Sequence, residues 1–116
     1  ILYEYPASEA AMARRKPDDP AVSERFELYV CGVELANCFG ELTDPVEQRA
    51  RFETEMLVKQ EIFGEKYPID EAFIAALALM PPASGGALGF DRLVMLATGA
   101  THIDQVQWAP VARGEA

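Results

Sequence analysis

From Arg25 the chain alternates strictly, with Phe26, Leu28 and Val30 falling on one side and Glu27 and Tyr29 on the other. After Cys31-Gly32 the run Val33 to Ala36 alternates again. Period-two alternation on both sides of a two-residue, glycine-containing break predicts a β-hairpin over residues 25–37. The segment before it is patterned differently. Tyr3, Tyr5 and Pro6 make a weakly apolar start, and ASEAAMARRKPDDPAVSE, polar and interrupted by Pro17 and Pro20, reads as a strand end followed by a loop. Downstream, Asp44-Pro45-Val46-Glu47 supplies a capping carboxylate, a proline for the first helical position and an acid three residues after the cap. A helix over about 45–63 is expected there, closed by Gly64. A second helix is expected after Asp70, stopped by Pro81-Pro82. A third carries Leu93, Val94, Met95 and Leu96 and ends at Gly99, and Val106 to Trp108 reads as a short strand. The elements predict an α+β domain, an antiparallel β-sheet with flanking helices.

Composition narrows the class. The 116 residues suffice for one small domain, and a first residue of Ile1 is what a segment cut from a longer product would show. No run of eighteen or more apolar residues exists, and the opening lacks the basic-then-apolar order of a secretory signal, so a cytoplasmic protein with no membrane partner is expected. Cys31 and Cys38 are too few and too close for a disulfide framework or a four-ligand zinc site, which leaves two reduced structural thiols. A formal charge of −9 argues against a nucleic-acid surface, which needs clustered Lys and Arg, and fits a site for cations or amines.

The hairpin carries the first candidate chemistry. A two-residue turn at Cys31-Gly32 pairs Val30 with Val33, Tyr29 with Glu34 and Glu27 with Ala36. Glu27 and Glu34 then share a face as diagonal neighbours about 7 to 8 Å apart, placed to hold a cation or a metal-bound polyphosphate between them. Asn37 and Glu41 follow Glu34 in the same polar cluster. A merely solvated hairpin face has the same spacing, and spacing alone does not choose between the two. The second candidate is SGGALGFDRLVML, where Gly85, Gly86 and Gly89 permit close backbone approach to a ligand and Arg92 lies at a helix start, able to fork onto a phosphate. The glycine spacing is neither a dinucleotide fingerprint nor a P-loop. Taken alone the motif is weak, and a plain strand-to-helix connection, with Arg92 paired to a local acid, is the reading it favours. His102, alone in a polar loop, is expected at the surface without a catalytic task.

RFELYVCGVELANCFGELTDPVEQRARF followed by LMPPASGGALGFDRLVML resembles the end of the catalytic domain of class II lysyl-tRNA synthetase-like proteins. The resemblance covers nearly the whole chain and implies a C-terminal fragment of that domain, residues 1–116. GGALGFDRLVML, within about 84–98, is similar to class II motif 3, whose arginine contacts ATP phosphates, a role that maps onto Arg92. By the same resemblance Leu28 and Gly89 belong to the ATP site, with Gly89 against the adenosine. Glu27 and Glu34 hold Mg-ATP, Glu34 also lies beside the amino acid, and Asn37, Glu41 and Ala87 belong to the pocket for a lysine-type substrate. The implied catalytic set is Arg92, Glu27 and Glu34, with ATP and Mg2+ as cofactors.

Two branches of the family compete: lysyl-tRNA synthetase, and a shorter paralogue that joins β-lysine to a lysine of elongation factor P. YEYPASEAAMAR, ELANCFGELTD and Ala87 resemble the paralogue more closely. Cys38 and Gly40 depart from the family's usual residues there. Charging of tRNA and a non-catalytic, amino-acid-sensing paralogue remain as alternatives. The resemblance further implies that motifs 1 and 2 lie upstream of Ile1, that the parent is a homodimer, and that the fragment alone is inactive.

Overall fold

The computed structural model describes residues 1–110. Residues 111–116 of the expected domain lie outside them. The strands are β1 (Leu2–Tyr3), β2 (Arg15–Lys16), β3 (Asp19–Ser23), β4 (Arg25–Val30), β5 (Val33–Gly40) and β6 (Ser84–Leu88), and the helices α1 (Pro45–Phe63), α2 (Glu71–Leu77) and α3 (Phe90–Thr98). β1, β4, β5 and β6 form an antiparallel sheet in that order, and β2 pairs with β3 separately. The class is α+β, an antiparallel sheet with helices, as the alternation and the caps predict.

The hairpin turn is two residues long, and Cys31 and Gly32 both have positive φ, 51° and 77°. That is the twist two-residue hairpins favour. Val30 pairs with Val33 and Tyr29 with Glu34, but Glu27 then faces Asn37 and not Ala36. The expected pairing fails because β5 carries a bulge: Ala36 faces Leu28, and Leu35 is the extra residue. Leu35 is buried, at 8% exposure, so the bulge tucks an apolar side chain away that regular pairing would have sent into the alternation.

The helix ends follow local chemistry. The Asp44 carboxylate accepts from the Val46 and Glu47 amides at 2.8 and 3.2 Å, Pro45 occupies the first turn, and Gly64 closes α1 in a left-handed conformation at φ 68°. Asp70 caps α2 in the same way through the Ala72 and Phe73 amides. Two expectations change. Residues 15–23, read as loop, contain the β2–β3 ladder. Val106 to Trp108 forms no strand: a 3-10 turn, Ile103–Gln105, takes the preceding residues, with reciprocal caps between His102 and Gln105. Trp108 stands fully exposed beyond it.

The buried apolar core is small: Ala10, Ala13, Leu35, Leu42, Ile74 and Leu77. Polar contacts therefore do much of the joining between α1 and the amino-terminal segment. Arg51 Nη1 donates to the carbonyls of Ala11 and Ala13 at 2.9 and 2.7 Å, and Glu47 accepts from Arg51 at 2.6 Å and from Arg15 at 2.9 Å. No helix among the described residues is long and apolar enough to cross a membrane.

Burial pushes the Glu47 carboxyl up, but its hydrogen bonds and charge pairing with Arg51 and Arg15 outweigh that and hold it below the usual range. A lowered folded-state pKa means a contribution that is complete above the ordinary value of about 4.3 and is lost as pH falls through the lowered one. Glu47→Gln should therefore be less stable than the parent sequence by about 1 kcal/mol near pH 7, with a narrower gap in denaturant melts at an acid pH below the ordinary carboxylate range. An equal gap at both pH values would contradict the ion-pair origin.

Candidate functional site

Glu27 sits in the middle of β4, so burial must be offset by partners if it is to stay charged. It is 6% exposed. Tyr29, two residues along the same face, donates its hydroxyl to Oε2 at 2.6 Å, and Arg25, two residues back, donates Nη2 to Oε1 at 2.5 Å. The Tyr5 phenol adds a further hydrogen bond. The hydrogen bonds from Tyr29 and then Tyr5, with help from Arg25, outweigh burial and lower the Glu27 pKa. Reciprocally, donation to Glu27 pushes Tyr5 up to about 12 and raises Tyr29. Arg25 is itself fixed: Nη1 donates to the Glu9 carbonyl at 2.6 Å, and its guanidinium lies 4.4 Å from the Tyr5 ring centroid and 5.6 Å from that of Phe39. Glu27 is an ionised, oriented carboxylate.

The bulge decides what shares its face. Glu34 and Asn37 are three residues apart, and an odd separation in a regular strand puts side chains on opposite faces. The extra residue at Leu35 cancels that. Directly paired antiparallel residues point the same way, so Tyr29↔Glu34 and Glu27↔Asn37 bring Glu27, Glu34 and Asn37 to one face, and Asn37↔Ala87 adds Ala87 from β6. Glu41 joins them, because its carboxylate lies where a side chain at Gly85 would otherwise stand. Asn37 Oδ1 is buried and has no hydrogen-bond partner among the described residues. It is an acceptor awaiting a donor.

Arg92 stands in the first turn of α3 and closes the edge of this face. Its Nη1 donates to the Glu34 carbonyl at 2.8 Å and lies 3.9 Å from the Glu34 carboxylate, while the Gly89 amide donates to the Leu35 carbonyl at 2.9 Å. Both bulge carbonyls are thus capped from the β6–α3 corner. Of the residues the sequence singled out, Glu27, Glu34, Asn37, Glu41, Ala87, Gly89 and Arg92 gather here. Leu28 does not: its side chain belongs to the opposite face, with Ala36 as its partner. The support for Glu27 from Arg25, Tyr5 and Tyr29 was not foreseen, although Arg25 and Tyr29 sit at the two-residue spacing that marks a shared strand face. His102 is exposed and its ring nitrogen caps a turn.

Among the described residues no group of three or more His, Cys, Asp or Glu side chains forms a metal cage. A pair of carboxylates on neighbouring strands, one of them held ionised, does match how Mg2+ is taken: one or two carboxylates, with substrate phosphates and water completing the shell. Glu27 and Glu34 are the candidate pair, with the Glu27 oxygens also accepting from Arg25 and Tyr29.

An antiparallel sheet with an arginine at a helix start on its edge is the setting of this face. Residues 1–113 match the family model described as tRNA synthetases class II (D, K and N), and the chain belongs to that family. It is 50% identical over 114 residues to the elongation factor P–(R)-β-lysine ligase of Vibrio cholerae serotype O1, and equally to that of Proteus mirabilis. Each alignment covers 97% of this chain and 35% of the relative. A lysine–tRNA ligase of Halalkalibacterium halodurans is 41% identical over 114 residues, covering 97% of this chain and 23% of that protein. The chain thus spans about a third or less of the length of these relatives.

Deleting Leu35 should remove the bulge and leave a regular ladder in which Leu28 still faces Ala36 and Glu27 still faces Asn37, with Glu34, Asn37 and Glu41 kept on one face. Cross-strand nuclear Overhauser contacts between Glu27 and Asn37 should persist in the deletion variant; their replacement by contacts from Glu27 to Cys38 would refute this account.

Proposed function

We propose that the protein carrying this chain activates a lysine-type amino acid with ATP and transfers the acyl group to a lysine of elongation factor P. The observation that carries the reading is the bulge-assembled face, where Glu27, Glu34, Glu41 and the unpartnered Asn37 Oδ1 offer anionic and accepting groups to an amine, with Arg92 at the edge for a phosphate. The similarity to relatives named β-lysine ligases supports the choice of substrate and acceptor. On this reading residues 1–116 are the C-terminal part of a class II catalytic domain, from a cytoplasmic, homodimeric parent.

In the first step a substrate carboxylate oxygen bonds to the α-phosphorus of ATP as the bond to pyrophosphate breaks, leaving an aminoacyl adenylate. In the second, an acceptor amine attacks the acyl carbon, loses its proton and expels AMP. Glu27 and Glu34 hold Mg2+, which when bound offsets the phosphate charge. Glu27 serves in this way because Arg25, Tyr5 and Tyr29 keep its carboxylate ionised and still. Arg92 neutralises charge developing on the leaving pyrophosphate, an electrostatic role that needs no protein nucleophile. Asn37 and Glu41 hold the substrate's amino groups, with Glu41 facing the side-chain ammonium. The Ala87 methyl, on the same face as Asn37, takes space that glycine would leave open and favours a displaced amino group. The adenosine lies toward Gly89 and the backbone of Leu28.

The second reading, tRNA charging, is favoured by the similarity to lysine–tRNA ligase. Intact-mass analysis of elongation factor P after incubation with the full-length protein, Mg-ATP and β-lysine decides between them. The expected gain is one lysyl unit, absent with Arg92→Ala; charged tRNA with unmodified elongation factor P would replace the first reading by the second. The isolated 116-residue chain, about a third of the relatives' length, should give no ATP–pyrophosphate exchange. Measurable exchange would show the nucleotide site to be complete within it.

A further inference from the structure

Resting on the reading of Arg92 as the phosphate contact, we propose that Gly89 is its positioning residue, the absent side chain being the space through which the arginine stem runs. A Cβ placed on the existing backbone at Gly89 would stand 3.1 Å from Arg92 Cδ and 3.4 Å from its Cβ and Cγ. The approach to Cδ is tighter than ordinary van der Waals contact and those to Cβ and Cγ stand at its lower limit, and the obstructing group is the arginine itself.

Backbone conformation does not require the glycine. Residue 89 has φ −73° and ψ 95°, an extended geometry open to any residue. Its amide bond to the Leu35 carbonyl would survive a change to alanine. What alanine would alter is the course of the stem, which folds across position 89 and delivers Nη1 to the Glu34 carbonyl at 2.8 Å. Nε and Nη2 have no hydrogen bond among the described residues, so one guanidinium nitrogen is anchored to the bulge while the Nε–Nη2 edge is available as a fork for two phosphate oxygens. The Arg92 side chain is 47% exposed. A methyl at 89 would therefore be accommodated by swinging the stem outward, with little cost to the fold and a direct cost to where the fork points.

A double-mutant cycle separates this from a direct contact between Gly89 and the nucleotide. Mg·ATP binding to the full-length protein is measured by titration calorimetry for Gly89→Ala, Arg92→Met and the double variant, with the unfolding midpoint of each recorded. Gly89→Ala should weaken binding about tenfold, as expected for a contact displaced by a fraction of an ångström, at an unchanged midpoint. In the Arg92→Met background the same change should cost less than about twofold. Equal losses in both backgrounds would overturn the proposal, since Gly89 would then act on the nucleotide without the arginine. A crystal structure of the Gly89→Ala variant gives a reading independent of ATP: Nη1 displaced from the Glu34 carbonyl supports the proposal, and an unmoved Arg92 overturns it. If Arg92→Met binds Mg·ATP as the parent does, the phosphate role of Arg92 fails, and the crystal structure alone decides whether Gly89 positions it.

Discussion

One extra residue in β5 organises everything else in the candidate site. A two-residue turn fixes the pairing at the closed end of the hairpin, and without a bulge that register carries through the strand and leaves Asn37 and Glu41 on the face away from Glu34. Setting Leu35 out of the ladder reverses the facing that regular pairing of the same sequence would give every residue beyond it. The same irregularity frees two carbonyls from regular pairing, and the β6–α3 corner supplies donors to both, from the Gly89 amide and the Arg92 guanidinium. Register, acid placement and arginine placement are therefore one constraint and not three. A change that regularised the strand would be felt at Arg92 as well as at Asn37.

The cost of the arrangement is a buried carboxylate. Glu27 has lost most of its water, and an isolated charge there would take up a proton. Three donors prevent that, and their own supports reach across the sheet: Tyr5 lies just beyond β1, Arg25 and Tyr29 lie on β4, and Phe39 of β5 completes the aromatic surround of Arg25. Pairing with Arg25 also cancels much of the Glu27 charge. Glu34 is matched by Arg92, so the acid on the face without an ion pair among the described residues is Glu41, just beyond the end of β5.

The elements were largely legible because they rest on local chemistry. Asp44, Pro45 and Gly64 bracket α1, Asp70 starts α2, Gly99 ends α3, and Cys31-Gly32 makes the turn, each through contacts within a few residues of itself. The bulge was not legible from alternation, because Val33 to Ala36 reads as a regular strand until Asn37 must face Glu27. A hint was present: a site requiring both Glu34 and Asn37 on one face demands an odd correction somewhere between them. The β2–β3 ladder was hidden by its prolines, and the strand expected at Val106 failed because alternation supplies no partner strand whereas the His102–Gln105 caps are local. Leu28 was assigned to the ATP site by resemblance, and the sheet leaves it only its backbone to contribute.

Geometry also bears on how one acidic face could serve an anionic and a cationic end of the same reaction. The Glu41 side chain turns back over Gly85, which pairs with Phe39, so its carboxylate stands nearer to Glu34 than the seven backbone steps between the two residues would put it, while still at the other end of the face. Glu34 is matched by Arg92 at its end of the strand, so a phosphate brought there meets a balanced pair, and more so with a divalent ion present. Glu41 lies at the other end over Gly85, with no ion pair among the described residues. On the proposed reading the charge gradient along β5 orients the substrate: the activated carboxyl end goes toward Arg92 and the side-chain ammonium toward Glu41. The unpartnered Asn37 oxygen lies between them, where it can accept from an amino group.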